Sequence, residues 1–409
     1  MSSASAERAQ PGTGGGSRAR VIIVGGGAIG SAIAYFLSLH GEDFDVTVIE
    51  RDFTYGRASS ALSASSIRQQ FSSPVNIRMS QFGIEFFRSI GEILQVDGQA
   101  PEIGLVEPGY LYLASKAGAA LLRRNHAVQR AHDVAVALMT PHELEQRFPW
   151  LSTDGVLLGS LGLSGEGWYD GYSVLQAFRC KAVSQGVRYV QADATGFSRD
   201  ASGQIAAVDI RIHGRQERRA CEFAVAAGGP WVASIADWAD IDLPVRARRR
   251  SVFSFSCPTR LAACPLVIDT TGIWFRPEGD QFICGFSPPA DQDPDEPPLD
   301  VDYPAFDDFI WPSLAARVPA FEAIRMTGAW AGYYEMNTYD HNAVLGLHPG
   351  CGNLYFAAGF SGHGLQQTPA VGRGIAELIR DGRYRTLDLA DLGFERLIEG
   401  RPLLEHNVI

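Results

Sequence analysis

The sequence predicts an α/β protein: a Rossmann-type nucleotide-binding domain with a second, mainly antiparallel β domain inserted in it. Three observations carry this. Near the start, the β-branched run 21–24 leads into Gly25-x-Gly27-x-x-Gly30 and then a helix-forming stretch. Near the end, the apolar run 354–358 leads into the glycine-rich turn 359–364 and another helix-forming stretch. Between them, runs such as 205–212, 245–255 and 282–286 alternate with the period of two expected of half-buried strands.

In chain order, residues 1–19 are rich in Ser, Ala and Gly, carry Glu7, Arg8 and Arg18, and lack the apolar centre of a secretory signal, so a flexible tail is expected. Residues 21–39 hold 19 positions without a charge, nearly a bilayer's length, but Gly25, Gly26, Gly27 and Gly30 make poor spanning helix. No membrane span is expected. His40-Gly41 closes the first helix and 46–50 is a second strand, which completes a parallel unit. The tract 51–66 is rich in Ser and Ala. Helical patterning returns at 76–94, with Phe82, Phe86 and Phe87 on one face, and again within 166–185. Short strands are expected at 111–113 and 273–275, antiparallel ones at 189–191 and 205–212, and a buried one at 223–227 running into Gly228-Gly229-Pro230. The segment 287–304 holds six acids and six prolines and reads as an exposed loop. Thr368 is a good N-cap, with Pro369 in the first turn of a last helix at 369–379. The expected division is a discontinuous nucleotide domain of residues 20–95, 165–240 and 332–390, a substrate domain of 96–164 and 241–331, and a C-terminal tail of 391–409.

Composition excludes several functions. The 35 Lys and Arg against 46 Asp and Glu give a net charge of −11, which repels phosphate backbones and makes nucleic acid an improbable partner. Six cysteines form no CxxC pair, and nine histidines show neither HxH nor HExxH spacing. A reduced, cytoplasmic protein without a metal site is expected.

The glycine spacing carries a mechanism. Gly25 permits the tight turn, Gly27 lets backbone approach a pyrophosphate, Gly30 lets helix and strand pack closely, and the helix N-terminus offers free N–H groups to phosphate. Glu50, 20 residues after Gly30, ends the next strand, where a carboxylate accepts ribose hydroxyls and repels the 2′-phosphate of NADP. The small side chains of 51–66 suit an extended chain under a large planar ring, as in a flavin, or a loose surface loop. The N-terminus of the last helix is a second place that favours negative charge, such as that on reduced flavin. Two near-matches to a nucleophile elbow fail: Gly359-Phe360-Ser361-Gly362-His363 and Gly162-Leu163-Ser164-Gly165-Glu166 both lack the final glycine of GxSxG.

VIIVGGGAIGSAIAYFL at the N-terminus, VAAGGPW at 225–231 and AAGFSGHGLQQTP at 357–369 together resemble the FAD-dependent D-amino-acid-oxidase superfamily, in its branch similar to sarcosine oxidase and dimethylglycine dehydrogenase. SSIRQQF at 65–71 and GFSGHGLQQ at 359–367 resemble most the mitochondrial flavoproteins linked to respiratory complex I assembly. The resemblance spans about residues 20–390. It implies that Gly25, Gly27, Ala28, Ile29, Gly30, Glu50 and Arg51 hold the ADP half of FAD. Ser59, Ser60, Ala227, Gly228 and Trp231 would line the cofactor, and Gly359, Gly362, His363, Gly364 and Leu365 would lie beside the flavin pyrimidine, with His363 in a catalytic place. Arg68 stands where sarcosine oxidases pair an arginine with the substrate carboxylate, a bidentate clamp. Trp274, or Phe275, would supply an aromatic wall, with Tyr333 and Gln366 also on the substrate side.

Three departures qualify the resemblance. The cysteine that tethers flavin has no counterpart in Gly332-Tyr333-Tyr334, so FAD is expected to be non-covalent. The oxygen-activating lysine is matched by Ile283 or Cys284, and a second, carboxylate-binding lysine by Gln366. Arg246, Arg248, Arg249 and Arg250 form a basic run expected to be solvated or to bridge domains; at strand spacing Arg248 and Arg250 share one face, and either could face the flavin edge. The expected function is an FAD-dependent oxidoreductase acting on the C–N bond of a small amino acid or N-methyl amino acid, dehydrogenase rather than oxidase, with O₂, a quinone or an electron-transfer protein as acceptor. A flavoprotein assembly factor with little turnover, and an O₂-using amine oxidase, are the alternatives.

Overall fold

In a computed structural model, residues 18–406 are described; most of the expected N-terminal tail lies outside them. A six-stranded sheet forms the centre, in the order Val344–His348, Cys351–Ala358, Phe223–Ala226, Ala19–Val24, Phe44–Glu50, Arg188–Gln191. All neighbours are parallel except the first pair. Both faces are covered, which is why the inner strands carry the apolar runs 21–24, 223–226 and 354–358. Val21, Ile23, Val46, Val48 and Val225 pack against the helices Ala28–Ser38, Gly171–Ser184 and Gly364–Asp381. Ile22, Val24, Ile49, Ala224 and Ala226 face a three-stranded antiparallel sheet of Asp193–Arg199, Ile205–Ile212 and Arg215–Ala220.

The second layer is an eight-stranded sheet in the order Arg325–Asn337, Val245–Ser256, Gln281–Gly285, Trp274–Glu278, Leu266–Ile268, Tyr110–Ala114, Leu158–Gly162, Val136–Met139. It is antiparallel apart from the pairing of Leu266–Ile268 with Tyr110–Ala114. Phe253, Phe275, Phe282, Cys284 and Phe321 fill the core on one face. Tyr110, Tyr112, Val252, Trp274 and Ile283 cluster on the other. The strand Arg325–Asn337 runs across the expected boundary at 331/332.

Four local expectations are corrected. Residues 189–191 belong to the parallel edge strand Arg188–Gln191, not to an antiparallel pair, because a short run does not specify its partner. The tract 51–66 is not extended throughout: it folds into a helical turn at Ser59–Leu62. The last helix starts at Gly364, so Thr368 is no N-cap and Pro369 lies inside it. The first turn is held instead by buried Gln366 and Gln367, whose side chains bond to Ser80 and Asn76 of a neighbouring helix. Of the expected C-terminal tail, residues 391–406 are described and packed: Arg396 is buried against Asp340 at 2.7 Å, and Glu405 is buried among Ser72, Ser73 and Asn76.

Candidate cofactor and active site

A cavity of about 470 Å³ lies beyond the carboxyl ends of the parallel strands and continues to the second face of the eight-stranded sheet. Ligands in open α/β sheets bind at that end. Gly25 has φ of +105°, and a Cβ there would lie 2.2 Å from the Ala227 carbonyl oxygen. At Gly30 a Cβ would lie 1.9 Å from the Gly25 oxygen, so helix and turn meet backbone to backbone. A Cβ on Gly27 would meet only Ser60 Oγ, at 4.0 Å, and would project into a cradle. Gly27 caps the helix Ala28–Ser38 without a side-chain bond, leaving its first N–H groups available to an anion.

Glu50 is fixed by two backbone donors. Gly26 N–H reaches Oε2 at 2.8 Å and Asp52 N–H reaches Oε1 at 2.9 Å. Each oxygen keeps lone-pair capacity for a ribose hydroxyl. The Arg51 guanidinium stacks on Trp231 at 3.7 Å from the ring centroid, with Arg57 at 5.5 Å. The Tyr55 hydroxyl is buried at the cavity wall with no hydrogen-bond partner in the protein. A cradle that a Cβ would fill, an uncapped helix and an orphaned hydroxyl together fit a dinucleotide. Ala28, Ile29, Ser59, Ser60, Ala227, Gly228, Trp231, Gly362, Gly364 and Leu365 also line this cavity.

The second glycine turn is shaped by close contact. Gly359 and Gly362 have φ of +69° and +90°, and a Cβ at Gly362 would lie 2.4 Å from the Tyr334 ring. Ser361 is fully buried, and its Oγ accepts the Asn337 N–H at 3.0 Å and donates to Gly359 O at 3.3 Å. Its hydroxyl is structural, which agrees with rejecting a nucleophile elbow.

His363 and Arg68 are brought together, but neither lines the cavity. Arg68 is 2% exposed. Its Nη1 donates to Gln70 O at 2.6 Å, its Nη2 lies 3.0 Å from His363 Nε2, and its plane covers Phe71 at 4.0 Å. Its backbone N–H donates to Gln366 Oε1 at 2.9 Å, and the guanidinium bonds to Gln70 O and His363 hold the side chain away from the cavity. Gln366, also buried, is occupied by this bond and by Ser80. Burial, then the Arg68 charge, hold His363 well below its usual pKa.

Trp274 and Tyr333 do line the cavity. Tyr333 packs edge-on to Trp231, takes a bond from Ser59 Oγ on its carbonyl at 2.7 Å, and donates its hydroxyl to Pro297 O at 2.6 Å. Of the two residues matched to the oxygen-activating lysine, Ile283 shares the face of Val252 and Trp274, while Cys284 points into the opposite core. Arg276 stands opposite Ile283 in the strand register and is buried. It donates to Ala64 O at 2.7 Å and pairs with Glu278.

Sequence reasoning missed three groups. Glu335 lines the cavity and accepts the Gly359 N–H at 3.1 Å; burial pushes its carboxyl up to about 8. Glu166 is fully buried and accepts the N–H groups of Gln69 at 2.6 Å and Gln70 at 3.0 Å; burial pushes it up to about 7. Glu335 lies in no motif, and Glu166 entered only as the residue that breaks a GxSxG match, so no sequence signal marks either as a buried acid. Arg250 was named with Arg248 as able to face the flavin edge, but its place on the substrate side was not. Its side chain is 9% exposed, lines the cavity and lies 5.2 Å from the Tyr334 ring. The rest of the run is tied by the 287–304 loop, with Arg248 2.7 Å from Asp295 and Arg249 donating to Pro298 O. Among the described residues no His, Cys, Asp and Glu cluster suits a metal, and no helix is long and apolar enough to cross a membrane.

Comparison with known proteins agrees with this geometry. Residues 20–378 match the family described as FAD dependent oxidoreductase. "FAD-dependent oxidoreductase domain-containing protein 1" of Xenopus laevis is 43% identical over 96% of this chain and 85% of its own length. Glycine oxidase of Geobacillus kaustophilus is 25% identical over 92% of this chain and 97% of its own. The crystal structure of L-proline dehydrogenase from P. horikoshii superposes with a TM-score of 0.82 at 26% identity, covering 94% of this chain and 99% of that one.

Proposed function

Because the chain belongs to the FAD-dependent oxidoreductase family, with amino acid oxidases and dehydrogenases among its relatives and FAD as its non-covalent cofactor, we propose that it oxidises the C–N bond of a small amino acid or N-methyl amino acid. The observation that carries this reading is one cavity joining two chemistries. A dinucleotide cradle lies at one end, and an aromatic wall with a buried cation, Trp274 and Arg250, lies at the other. When bound, FAD supplies the acceptor for the hydride lost from the substrate carbon. The parallel-sheet part is assigned to the cofactor and the eight-stranded sheet to the substrate.

On this reading Gly25, Gly27, Gly30 and Glu50 hold the ADP half, Ser59, Ser60 and Trp231 flank the cofactor, and the turn 359–364 supports it from the second helix. The substrate's apolar part rests on Trp274 and Val252. Its carboxylate is taken by Arg250, which lines the cavity, rather than by Arg68, which does not. Glu335, with its carboxyl raised to about 8, carries a proton at neutral pH and offers it as a hydrogen bond into the cavity. His363 is assigned a positioning role behind the turn.

A dehydrogenase using a quinone or electron-transfer protein is favoured over an oxidase, because an apolar residue, Ile283, stands where an oxygen-activating lysine is expected. All six cysteines are free, which supports a reducing, cytoplasmic setting. The test is anaerobic bleaching of the flavin absorbance across a panel of amino acids, N-methyl amino acids and amines. Bleaching by a carboxylated amine is expected. If nothing in the panel bleaches the flavin, the reading fails and a scaffold of little turnover replaces it.

A further inference from the structure

The acidic, proline-rich segment 287–304 does more than cover the surface. Asp293 binds Arg250 with both carboxylate oxygens, at 2.8 Å to Nη1 and 2.9 Å to Nη2. Both side chains are about nine-tenths buried, at 9% and 10% exposure. Arg250 also donates Nε–H to Ser287 Oγ at 3.1 Å and Nη1–H to Arg249 O at 2.7 Å. A planar, two-point contact on a guanidinium is the geometry an amino acid carboxylate would adopt.

The pair is also a partition. Arg250 and Ser287 line the large cavity, whereas Asp293, Pro288 and Pro289 line a second cavity of about 360 Å³, and Phe286 lines both. Beyond Asp293 the loop is tied down independently. Glu296 N–H donates to Ala247 O at 2.8 Å, Tyr333 donates to Pro297 O at 2.6 Å, and Asp295 lies 2.7 Å from Arg248. Residues 295–297 are therefore anchored independently of the Asp293–Arg250 contact.

We infer that Asp293 is a specificity-determining residue: in the free enzyme it occupies the place of the substrate carboxylate on Arg250, so anionic substrates displace it and open segment 287–294, while neutral amines cannot. This rests on the proposed role of Arg250. A ligand without a negative charge gains nothing on Arg250 that offsets loss of the Asp293 contact, so discrimination comes from an internal competitor. The opened partition joins the two cavities into a path for the incoming substrate.

The experiment uses the FAD-loaded enzyme, with acetate as anionic probe and acetamide as its neutral counterpart. Hydrogen exchange is followed in residues 287–294, and probe affinity is read from perturbation of the flavin spectrum. In the wild type, acetate is expected to speed exchange there and acetamide to leave it unchanged. Asp293→Asn, which keeps the side-chain shape, should exchange fast without any probe and bind acetate on the order of tenfold more tightly. Arg250→Met should also exchange fast but lose acetate binding. If acetate leaves the segment unchanged and Asp293→Asn binds it no better, the competitor role is overturned, while loss of acetate binding in Arg250→Met would leave the Arg250 assignment standing. If Arg250→Met binds acetate like the wild type, the assignment of Arg250 itself is overturned, and the inference falls with it.

Discussion

His363 Nε2 accepts a hydrogen bond from Arg68 Nη2 across 3.0 Å, because a guanidinium can only donate. The imidazole is therefore neutral, with its proton on Nδ1, and stays so beside a buried positive charge. Both side chains form a polar support beneath the turn 359–364, which faces the cavity on its other side through Gly362 and Gly364.

Arg68→Ala is expected to act through that support. Removing a buried guanidinium leaves Gln70 O and His363 Nε2 without their donor and opens a void over Phe71. Each lost hydrogen bond should cost about 1–3 kcal/mol, read as a lower thermal midpoint and a reduced flavin-to-protein absorbance ratio. Arg68→Lys should recover part of both, since an ammonium reaches one partner but cannot make the planar contact. A variant of normal stability and flavin content with impaired kcat/KM alone would return Arg68 to a substrate-binding role.

Gly30→Ala and Gly27→Ala separate folding from cofactor binding. A methyl at position 30 would fall 1.9 Å from a backbone oxygen, so that variant should fail to fold or melt far lower. At position 27 the methyl enters the cradle and touches nothing closer than 4.0 Å. The apoprotein should melt like the wild type, while FAD binds roughly tenfold or more weakly, a cost of about 1.4 kcal/mol. Equal FAD affinity in Gly27→Ala would mean that the pyrophosphate lies elsewhere.

Glu166 gives a signed pH dependence. Its carboxyl is raised from the ordinary 4.5 to about 7 in the folded protein, so its contribution is fully present below about pH 4.5 and is lost as pH rises through about 7. Glu166→Gln removes that titration. Relative to wild type, the variant should gain on the order of 2–3 kcal/mol between pH 4.5 and 8. Parallel unfolding curves across this range would show that Glu166 is not protonated in the native state.

Oxygen reactivity tests the apolar face. Reduced enzyme should reoxidise slowly with O₂ and fast with a dye acceptor, and Ile283→Lys should raise the O₂ rate by placing a cation beside Val252 and Trp274. Stopped-flow traces decide it. If the wild type already reacts with O₂ as fast as with a dye, Arg276, the cross-strand neighbour of Ile283, becomes the cation responsible, and Arg276→Met should slow it.

What was legible in the sequence is what backbone geometry dictates locally. The tight turn at Gly25 and the close helix contact at Gly30 were legible because each excludes a side chain at one position, while the space at Gly27 is open. Gly359 and Gly362 follow for the same reason, with positive φ at both. Side-chain direction was not legible. Arg68 and Arg250 are equally charged, yet one is held under a turn by His363, 295 residues away, and the other faces the cavity with Asp293, 43 residues away. A buried charge goes where its partners are, and those partners come from distant segments that only folding brings together. The amino-acid order thus determined the glycine turns at the ends of the parallel strands, and the tertiary structure decided which arginine lines the cavity beside them.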